Sequence, residues 1–185
     1  AAISGYSEML AEGYAEDPRK AGTIISQQTR RVSSIVRNLL DFARNRPVQR
    51  APGSLAEVLQ SAQELIAAEL RQSGVALQTS ISPDLPRVMM DVQQMEQVFI
   101  NLVRNAAQAL AGHAGEHRIA VNAFTDWIWV AVSVRDNGPG VPADLREKIF
   151  DSFVTTKSDG TGLGLSLCKR FVEAHGGHIE LLPFG

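Results

Sequence analysis

The sequence predicts an α+β fold, in which a helical hairpin precedes a domain built from helices on one face of a single sheet. Three observations lead to this prediction. The first 46 residues carry a helical apolar period, a proline-containing break follows it, and helical patterns beyond the break are mixed with mainly antiparallel strand patterns. A chain of 185 residues with 44% hydrophobic content is long enough to bury one core with a smaller element beside it.

Two helical periods in residues 1–46 indicate the two arms of the hairpin. The first arm is short, and its apolar positions are Ile3, Tyr6, Leu10 and Tyr14. The second arm begins near Pro18 and has one apolar stripe, formed by Ile25, Val32, Ile35, Val36, Leu39 and Phe42. A hairpin with a single stripe on each arm cannot bury that surface alone. Dimerisation into a four-helix bundle or docking onto the following domain would cover it, and the pattern favours the dimer.

Residues 47–53 are predicted as a linker because they contain two prolines and show no hydrophobic period. Residues 54–185 are predicted as the globular domain. Its helices are expected over residues 55–72, 91–110 and 162–175, and its strands over residues 75–81, 119–124, 128–136 and 178–182.

The composition narrows the classes of function. Eighteen basic and twenty acidic residues give a net charge of -2, and no run of Lys and Arg favours a nucleic-acid partner. The single cysteine, Cys168, cannot form an internal disulfide, and no Cys/His cluster indicates structural zinc, so a cytoplasmic location is the expectation. No apolar stretch reaches about 18 residues, so no membrane contact is expected from this segment.

A stripe of amide side chains is predicted on the helix over residues 91–110, beside its apolar stripe. Asn101 and Asn105 are four residues apart and therefore share a face. Solvated helix faces usually carry Lys and Glu, because amides have weaker helix propensity. The stripe is therefore either an ordinary exposed face or the lining of a site, and its members are Gln94, Gln97, Asn101, Asn105 and Gln108.

An aspartate ends the strand predicted over residues 128–136. The period of two places Asp136 on the same inward side as Ile128, Val130, Val132 and Val134. A buried carboxylate needs hydrogen-bond donors, which here are either backbone amides of the next turn or the exocyclic amine of a ligand. The sequence continues Asn-Gly-Pro-Gly, and glycines let the backbone approach a flat ring closely.

A glycine-rich tract, Gly160-Thr161-Gly162-Leu163-Gly164-Leu165, runs into the last predicted helix. Backbone amides at a helix N-terminus and the positive end of its dipole suit phosphate oxygens. The spacing matches neither the dinucleotide fingerprint nor a P-loop. Just upstream, Ile149, Phe150 and Phe153 place aromatics on the approach, and Lys157 faces either solvent or phosphate.

Taken in order, these segments resemble the four boxes of the GHKL ATPase superfamily, and within it the bacterial sensor histidine kinases of the nitrogen-regulation subclass. Residues 97–106 resemble the N box, residues 136–140 the G1 box, residues 149–153 the F box and residues 160–165 the G2 box. The resemblance covers the chain from Ser54 onward. It implies a Bergerat-type α/β sandwich that binds Mg-ATP and transfers the γ-phosphoryl group to a histidine of a dimeric hairpin, for relay to a response regulator receiver domain.

The resemblance also implies a role for individual residues. Asp136 would bind the adenine amine, Asn105 would coordinate Mg²⁺, and Asn101 would shape the polar wall beside it. Asn101 and Lys157 are the expected catalytic residues. The remaining nucleotide contacts implied are Gln108, Gly138, Gly140, Val141, Phe150, Phe153, Gly160, Thr161, Gly162, Leu163, Gly164 and Leu165.

Two departures from the family pattern stand out. Gln108 replaces a lysine of many relatives, so phosphate neutralisation would fall to Lys157 or Arg104. The residues after Ala1 resemble the segment that follows the acceptor box, so the acceptor histidine is expected before residue 1. Two other classes of function stay open: a GHKL ATPase that hydrolyses ATP, and a silent nucleotide-binding dimerisation module. Asn101 stands where hydrolysing relatives carry a basic Glu, which favours transfer over hydrolysis.

Overall fold

The computed structural model describes residues 2–14, 16–43, 47–126, 128–157 and 160–183, and in the second helix it leaves out the side chains at positions 31, 34, 35 and 37–43. The chain forms two compact units. The first comprises Ala1–Asn45 with Thr156–Thr161, and the second comprises Arg46–Thr155 with Gly162–Gly185. Each unit is described separately below.

The first unit contains the predicted hairpin. Helix α1 spans Ala2–Ala11 and helix α2 spans Pro18–Ala43, and the two pack against each other. Asp17 starts α2, because its carboxylate accepts the backbone N–H groups of Arg19 and Lys20 at 3.0 and 3.1 Å. On α2, Val32 and Val36 lie one turn apart and are 50% and 47% exposed. Ile35, Leu39 and Phe42, predicted on the same stripe, lie outside the described side chains.

The second unit holds three helices and two small sheets, in which the helices cover one face of the larger sheet. Helix α3 spans Leu55–Gln72, helix α4 Val92–Leu110 and helix α5 Gly164–Ala174. Strands β1 and β3 span Ala51–Gly53 and Val88–Met90, and strands β2, β4 and β5 span Val75–Ile81, His117–Thr125 and Val130–Asp136. The α+β prediction is therefore confirmed.

The larger sheet has the order β2-β4-β5, with β4 in the centre. Strand β4 pairs parallel with β2 and antiparallel with β5. Along β4, Ile119, Val121 and Ala123 are buried, whereas Arg118 and Asn122 are exposed, so one face meets the helices and the other meets solvent. The core combines that face with the apolar stripes of α3 and α4, whose buried members include Val58, Ile66, Phe99, Val103 and Leu110.

Three secondary-structure expectations need correction. Residues 51–53, expected within the linker, form β1 and pair antiparallel with β3, a strand that the sequence did not indicate. Residues 178–182, expected as a strand, form no regular element, and Leu182 is 60% exposed. Ile128, expected on the inward side of β5, precedes the strand and is 83% exposed, because Asp126 Oδ1 accepts the backbone N–H groups of Ile128 and Trp129 before the strand begins.

Helices α3 and α4 have side-chain caps, and α5 has none. Ser54 caps α3 by accepting the N–H of Glu57, and Asp91 caps α4 by accepting the N–H of Gln94. At α5 the N-cap residue is Leu163, which has no side chain able to accept. The first-turn N–H groups of α5 therefore lack the usual side-chain partner. No helix in the described ranges is both long and apolar enough to cross a bilayer.

Candidate nucleotide site

The amide side chains predicted as a polar stripe lie on α4, and the two asparagines among them differ in their hydrogen bonds. Asn101 accepts a hydrogen bond from Gln97 Nε2 at 3.0 Å through its Oδ1. Its side chain also bonds to the thiol of Cys168 on α5. Asn105, one turn later, makes no side-chain hydrogen bond within the part of the chain that the structure describes. Of the two asparagines, Asn105 is therefore the amide available to a ligand.

Arg104 lies between these asparagines in sequence but faces a different element. Its guanidinium donates to both carboxylate oxygens of Glu69 on α3, with N–O distances of 2.9 to 3.1 Å. Both side chains are about 40% exposed, so the pair adds little stability. Its charge is nevertheless matched by Glu69, which disfavours Arg104 as the cation for phosphate.

The turn that follows β5 holds Asp136 close to the C-terminal end of α4. Asp136 is half-buried, and its Oδ1 accepts the backbone N–H of Gly138 at 2.9 Å. Of the partners expected for this carboxylate, the turn amide is therefore present. A Cβ atom at Gly138 would lie 2.7 Å from Asp136 Oδ1 and 3.4 Å from Leu110 Cδ2. A side chain at this position would force the Asp136 carboxylate to move, so glycine suits the close approach of this turn to the last turn of α4.

The start of α5 lies against the same helix, one turn earlier. A Cβ atom at Gly164 would lie 3.6 Å from Asn105 Nδ2, an ordinary contact distance. Farther along α5, the fully buried Cys168 donates to the carbonyl of Val98 at 3.7 Å. Burial raises the pKa of this thiol to about 12, with the Asn101 hydrogen bond acting in the opposite direction. Helix α5 therefore brings its uncapped N-terminus to Asn105.

A strained contact joins the predicted F and G2 boxes. The N–H of Phe153 donates to the carbonyl of Gly162 at 2.9 Å. Phe153 has φ 69°, the sole positive value among the described non-glycine residues, and Gly162 has φ 67°. Both residues of this contact therefore adopt the left-handed backbone conformation. Phe153 is 67% exposed, so the structure places this aromatic outside the packed core.

Replacing Gly162 with alanine is expected to destabilise the protein. The new Cβ would lie 2.4 Å from the carbonyl carbon of Phe153, at a φ that alanine rarely adopts. We expect the free energy of unfolding to fall by about 2 kcal/mol or more. Gly164→Ala is the matched control, since its Cβ has room and alanine favours the helix, and its unfolding free energy should change by less than about 1 kcal/mol. Chemical denaturation of both variants compares them, and equal stabilities would contradict the strain at Gly162.

The remaining residues predicted to contact nucleotide differ in their exposure and in the unit to which they belong. Gly140 has φ 75°, the carbonyl of Val141 accepts from Arg146 Nε at 3.2 Å, and Phe150 is half-buried. Gln108 is exposed on α4, Leu163 is buried, and Leu165 is half-buried. The predicted contacts that fall in the first unit are Lys157, Gly160 and Thr161. Burial lowers the pKa of Lys157. The roles of these residues remain predictions.

Two contributors to the site were missed from the sequence. Gln97 was placed on the polar stripe, but its hydrogen bond to Asn101 was not foreseen, although the spacing of four residues allows it. The sequence does not indicate the contact of Cys168 with Asn101, because the two residues are 67 positions apart. No three His, Cys, Asp or Glu side chains converge as a metal cluster among the described residues.

Comparison with known proteins identifies both parts of the chain. Residues 90–183 match the family of histidine kinase-, DNA gyrase B- and HSP90-like ATPases. Residues 1–47 match the His Kinase A (phospho-acceptor) domain.

Among curated relatives, the sensory histidine kinase/phosphatase NtrB of Rhizobium leguminosarum bv. phaseoli is 36% identical over 95% of this chain and 49% of its own length. The chain thus spans about half the length of the curated relatives it matches.

Two solved structures are similar over most of the chain. The histidine kinase ThkA, in complex with the response regulator protein TrrA, has a TM-score of 0.74 and 30% identity over 95% of this chain and 50% of that chain. Full-length ShkA, in complex with AMPPNP, has a TM-score of 0.71 and 28% identity over 88% of this chain and 35% of that chain.

Proposed function

Since this chain belongs to the sensor histidine kinases of the histidine kinase-like ATPase family, we propose that it binds Mg-ATP and transfers the γ-phosphoryl group to a histidine on a dimerisation hairpin. One observation carries the proposal. The half-buried Asp136 carboxylate and the uncapped N-terminus of α5 meet the last two turns of the same helix, at Leu110 and Asn105.

Asp136 suits the adenine ring of ATP, and the N-terminus of α5 suits its phosphates. Asp136 uses one oxygen for the Gly138 amide, and its second oxygen is an acceptor for the exocyclic amine of adenine. The first-turn amides of α5 and its positive dipole end suit phosphate oxygens. The glycines that border these groups keep side chains away from both the ring and the phosphates.

Asn105 is the residue proposed to hold Mg²⁺. Its amide lies beside Gly164 at the start of α5 and has no hydrogen-bond partner among the described residues. Mg²⁺ prefers oxygen ligands and is usually held by few protein groups together with substrate phosphates, which agrees with a single amide oxygen and with the absence of an acidic cluster from the described residues. When bound, the ion neutralises charge that develops on the phosphates.

The reaction exchanges one phosphorus bond for another. An unprotonated imidazole nitrogen attacks the γ-phosphorus, and a P–N bond forms as the bond to the β–γ bridging oxygen breaks. ADP leaves with that electron pair, and the proton on the other imidazole nitrogen passes to solvent. The protein contributes position and charge, as in other phosphoryl transfers. Asn101 has no useful basicity and is held by Gln97 and Cys168, so activation of a water molecule is disfavoured.

The hairpin supplies the dimer interface in this proposal. Val32 and Val36 leave an apolar stripe exposed on α2 of a single chain, and a second copy would bury it in a four-helix bundle. The phosphoryl group would then pass to an aspartate of a response regulator, with P–N cleavage and P–O formation on the carboxylate. The complex of ThkA with TrrA supports a partner of this kind.

Transfer to a hairpin tests the proposal. The chain is mixed with radiolabelled ATP, Mg²⁺ and a hairpin that carries the acceptor histidine, and the label on the hairpin is then tested with acid. We expect label that is lost in acid and retained in base, as phosphohistidine requires. Bound nucleotide without any label on the hairpin would instead favour the silent module, and release of free phosphate without label would favour an ATPase.

A further inference from the structure

His175, at the end of α5, makes two hydrogen bonds that fix its protonation. Its Nε2 accepts the backbone N–H of Asp91 at 2.9 Å, and its Nδ1 lies 2.7 Å from the carbonyl of Phe171. An amide N–H can only donate, so Nε2 is unprotonated and Nδ1 carries the hydrogen. The neutral ring therefore links the C-terminus of α5 to the N-cap of α4.

The chain that leaves the hairpin attaches at the same place. We define the connecting segment as residues 47–50. The N–H of Gln49 donates to Asp91 Oδ2 at 3.3 Å, while Asp91 Oδ1 caps α4. The guanidinium of Arg50 donates to the carbonyl of Ala174 at the end of α5, where a cation is favoured by the helix dipole. Asp91 and His175 thus join the connecting segment to both helices.

This junction is distant from the proposed nucleotide contacts. Asp91 precedes Asn105 by fourteen residues of sequence, which corresponds to about 21 Å along α4. On α5, His175 follows the last helical residue, whereas Gly164 begins the helix. Loss of the junction would therefore release the connecting segment without altering the groups that meet ATP.

We propose that His175 is a positioning residue: through Asp91 it fixes where the connecting segment leaves the domain, so that transfer to the attached hairpin depends on it and nucleotide binding does not. The inference rests on the proposed kinase function. It assigns a role to a histidine that lies outside the proposed nucleotide site.

The test compares two substitutions that each keep one of the two hydrogen-bonding positions of the histidine ring. His175→Asn retains a donor near the Nδ1 position but cannot reach Asp91, and His175→Gln places an acceptor near the Nε2 position. The variants are made in the chain extended upstream of Ala1 by a segment with the acceptor histidine. His178→Ala is the control, since its side chain is 75% exposed.

We expect His175→Asn to slow transfer to the attached hairpin by about ten-fold or more and to change the Kd for ATP by less than about two-fold. His175→Gln should recover most of the rate, and His178→Ala should behave as the parent chain. A normal rate in His175→Asn would overturn the inference. So would a parallel fall of rate, affinity and melting temperature, which is the pattern of a purely structural residue.

Nuclear magnetic resonance separates this inference from the proposed function. The ¹⁵N shifts of His175 should report hydrogen on Nδ1, and the Asp91 amide should exchange slowly in the parent chain and rapidly in His175→Asn. The opposite tautomer or an unprotected Asp91 amide refutes the junction, whatever the measured rate of phosphoryl transfer. Absence of transfer in the unsubstituted chain, with both signatures present, refutes the kinase proposal instead.

Discussion

Asp136→Asn is expected to abolish measurable ATP binding. In the native turn Asp136 Oδ1 accepts the Gly138 N–H at 2.9 Å, and that bond would keep the oxygen of asparagine in place. The –NH₂ group of the new side chain would then point at the adenine amine, so that a donor faces a donor. Loss of a charge-assisted hydrogen bond together with an unpaired buried group should weaken binding by about 100-fold or more, or about 3 kcal/mol. Isothermal calorimetry measures the affinity.

The control for this substitution is Asp144→Asn. Asp144 is an exposed residue in the turns that follow the Asn-Gly-Pro-Gly segment over residues 137–140, and its change removes the same charge from the same region. Its ATP affinity should equal that of the parent chain. If Asp136→Asn also binds ATP normally, the adenine assignment is wrong. Equal melting temperatures of the two variants would show that weaker binding does not come from unfolding.

Asn105→Ala is expected to cause the second large loss, in this case of phosphoryl transfer. Asn105 is the amide that faces the start of α5 and makes no hydrogen bond of its own among the described residues. Without it the proposed Mg²⁺ site loses its protein ligand, and transfer should slow by about 100- to 1,000-fold. The rate is measured as labelled phosphohistidine formed at saturating Mg-ATP.

Two comparisons distinguish a metal role from a general one. ADP binding in the presence of a chelator should be unchanged in Asn105→Ala, because that binding needs no Mg²⁺. Asn101→Ala should slow transfer less, by about ten-fold, since Asn101 is already bonded to Gln97 and Cys168. Similar rate losses for both asparagines would argue against the separate roles given to them here.

The helical elements could be predicted because their signals are local. Helix α3 matches its predicted range, and α4 differs by one residue, since Asp91 serves as its N-cap. The apolar stripe predicted on α4 is buried in the structure, at positions that include Val98, Phe99 and Val103. Such a stripe follows from the helical period alone, whatever the rest of the chain does.

The short strands could not be predicted, because their signals come from pairing across the chain. Strand β1 is three residues long and contains Pro52, which is typical of a linker, and it exists through pairing with β3 about 35 residues away. Residues 178–182 show the opposite case. Their alternating pattern suits a strand, but no strand among the described residues pairs with them.

The residues of the candidate site were indicated by motif spacing, but their hydrogen bonds were not. The helical spacing places Asn101 and Asn105 on one face without distinguishing their hydrogen bonds, whereas in the structure Asn101 is bonded to Gln97 and Cys168. Arg104 was a candidate for phosphate until its pairing with Glu69 on α3 became visible. The partner that a long side chain contacts depends on the tertiary structure, and spacing along the sequence does not give that structure.

The pairing of β4 with neighbours on both sides has a consequence for how the domain folds. Four residues separate β4 from β5, so this hairpin closes a short loop at small entropic cost. Thirty-five residues separate the end of the parallel partner β2 from the start of β4, and α4 must be accommodated between them. We therefore expect the β4–β5 hairpin to form early and β2 to join late, which puts the rate-limiting barrier of folding at the parallel pair.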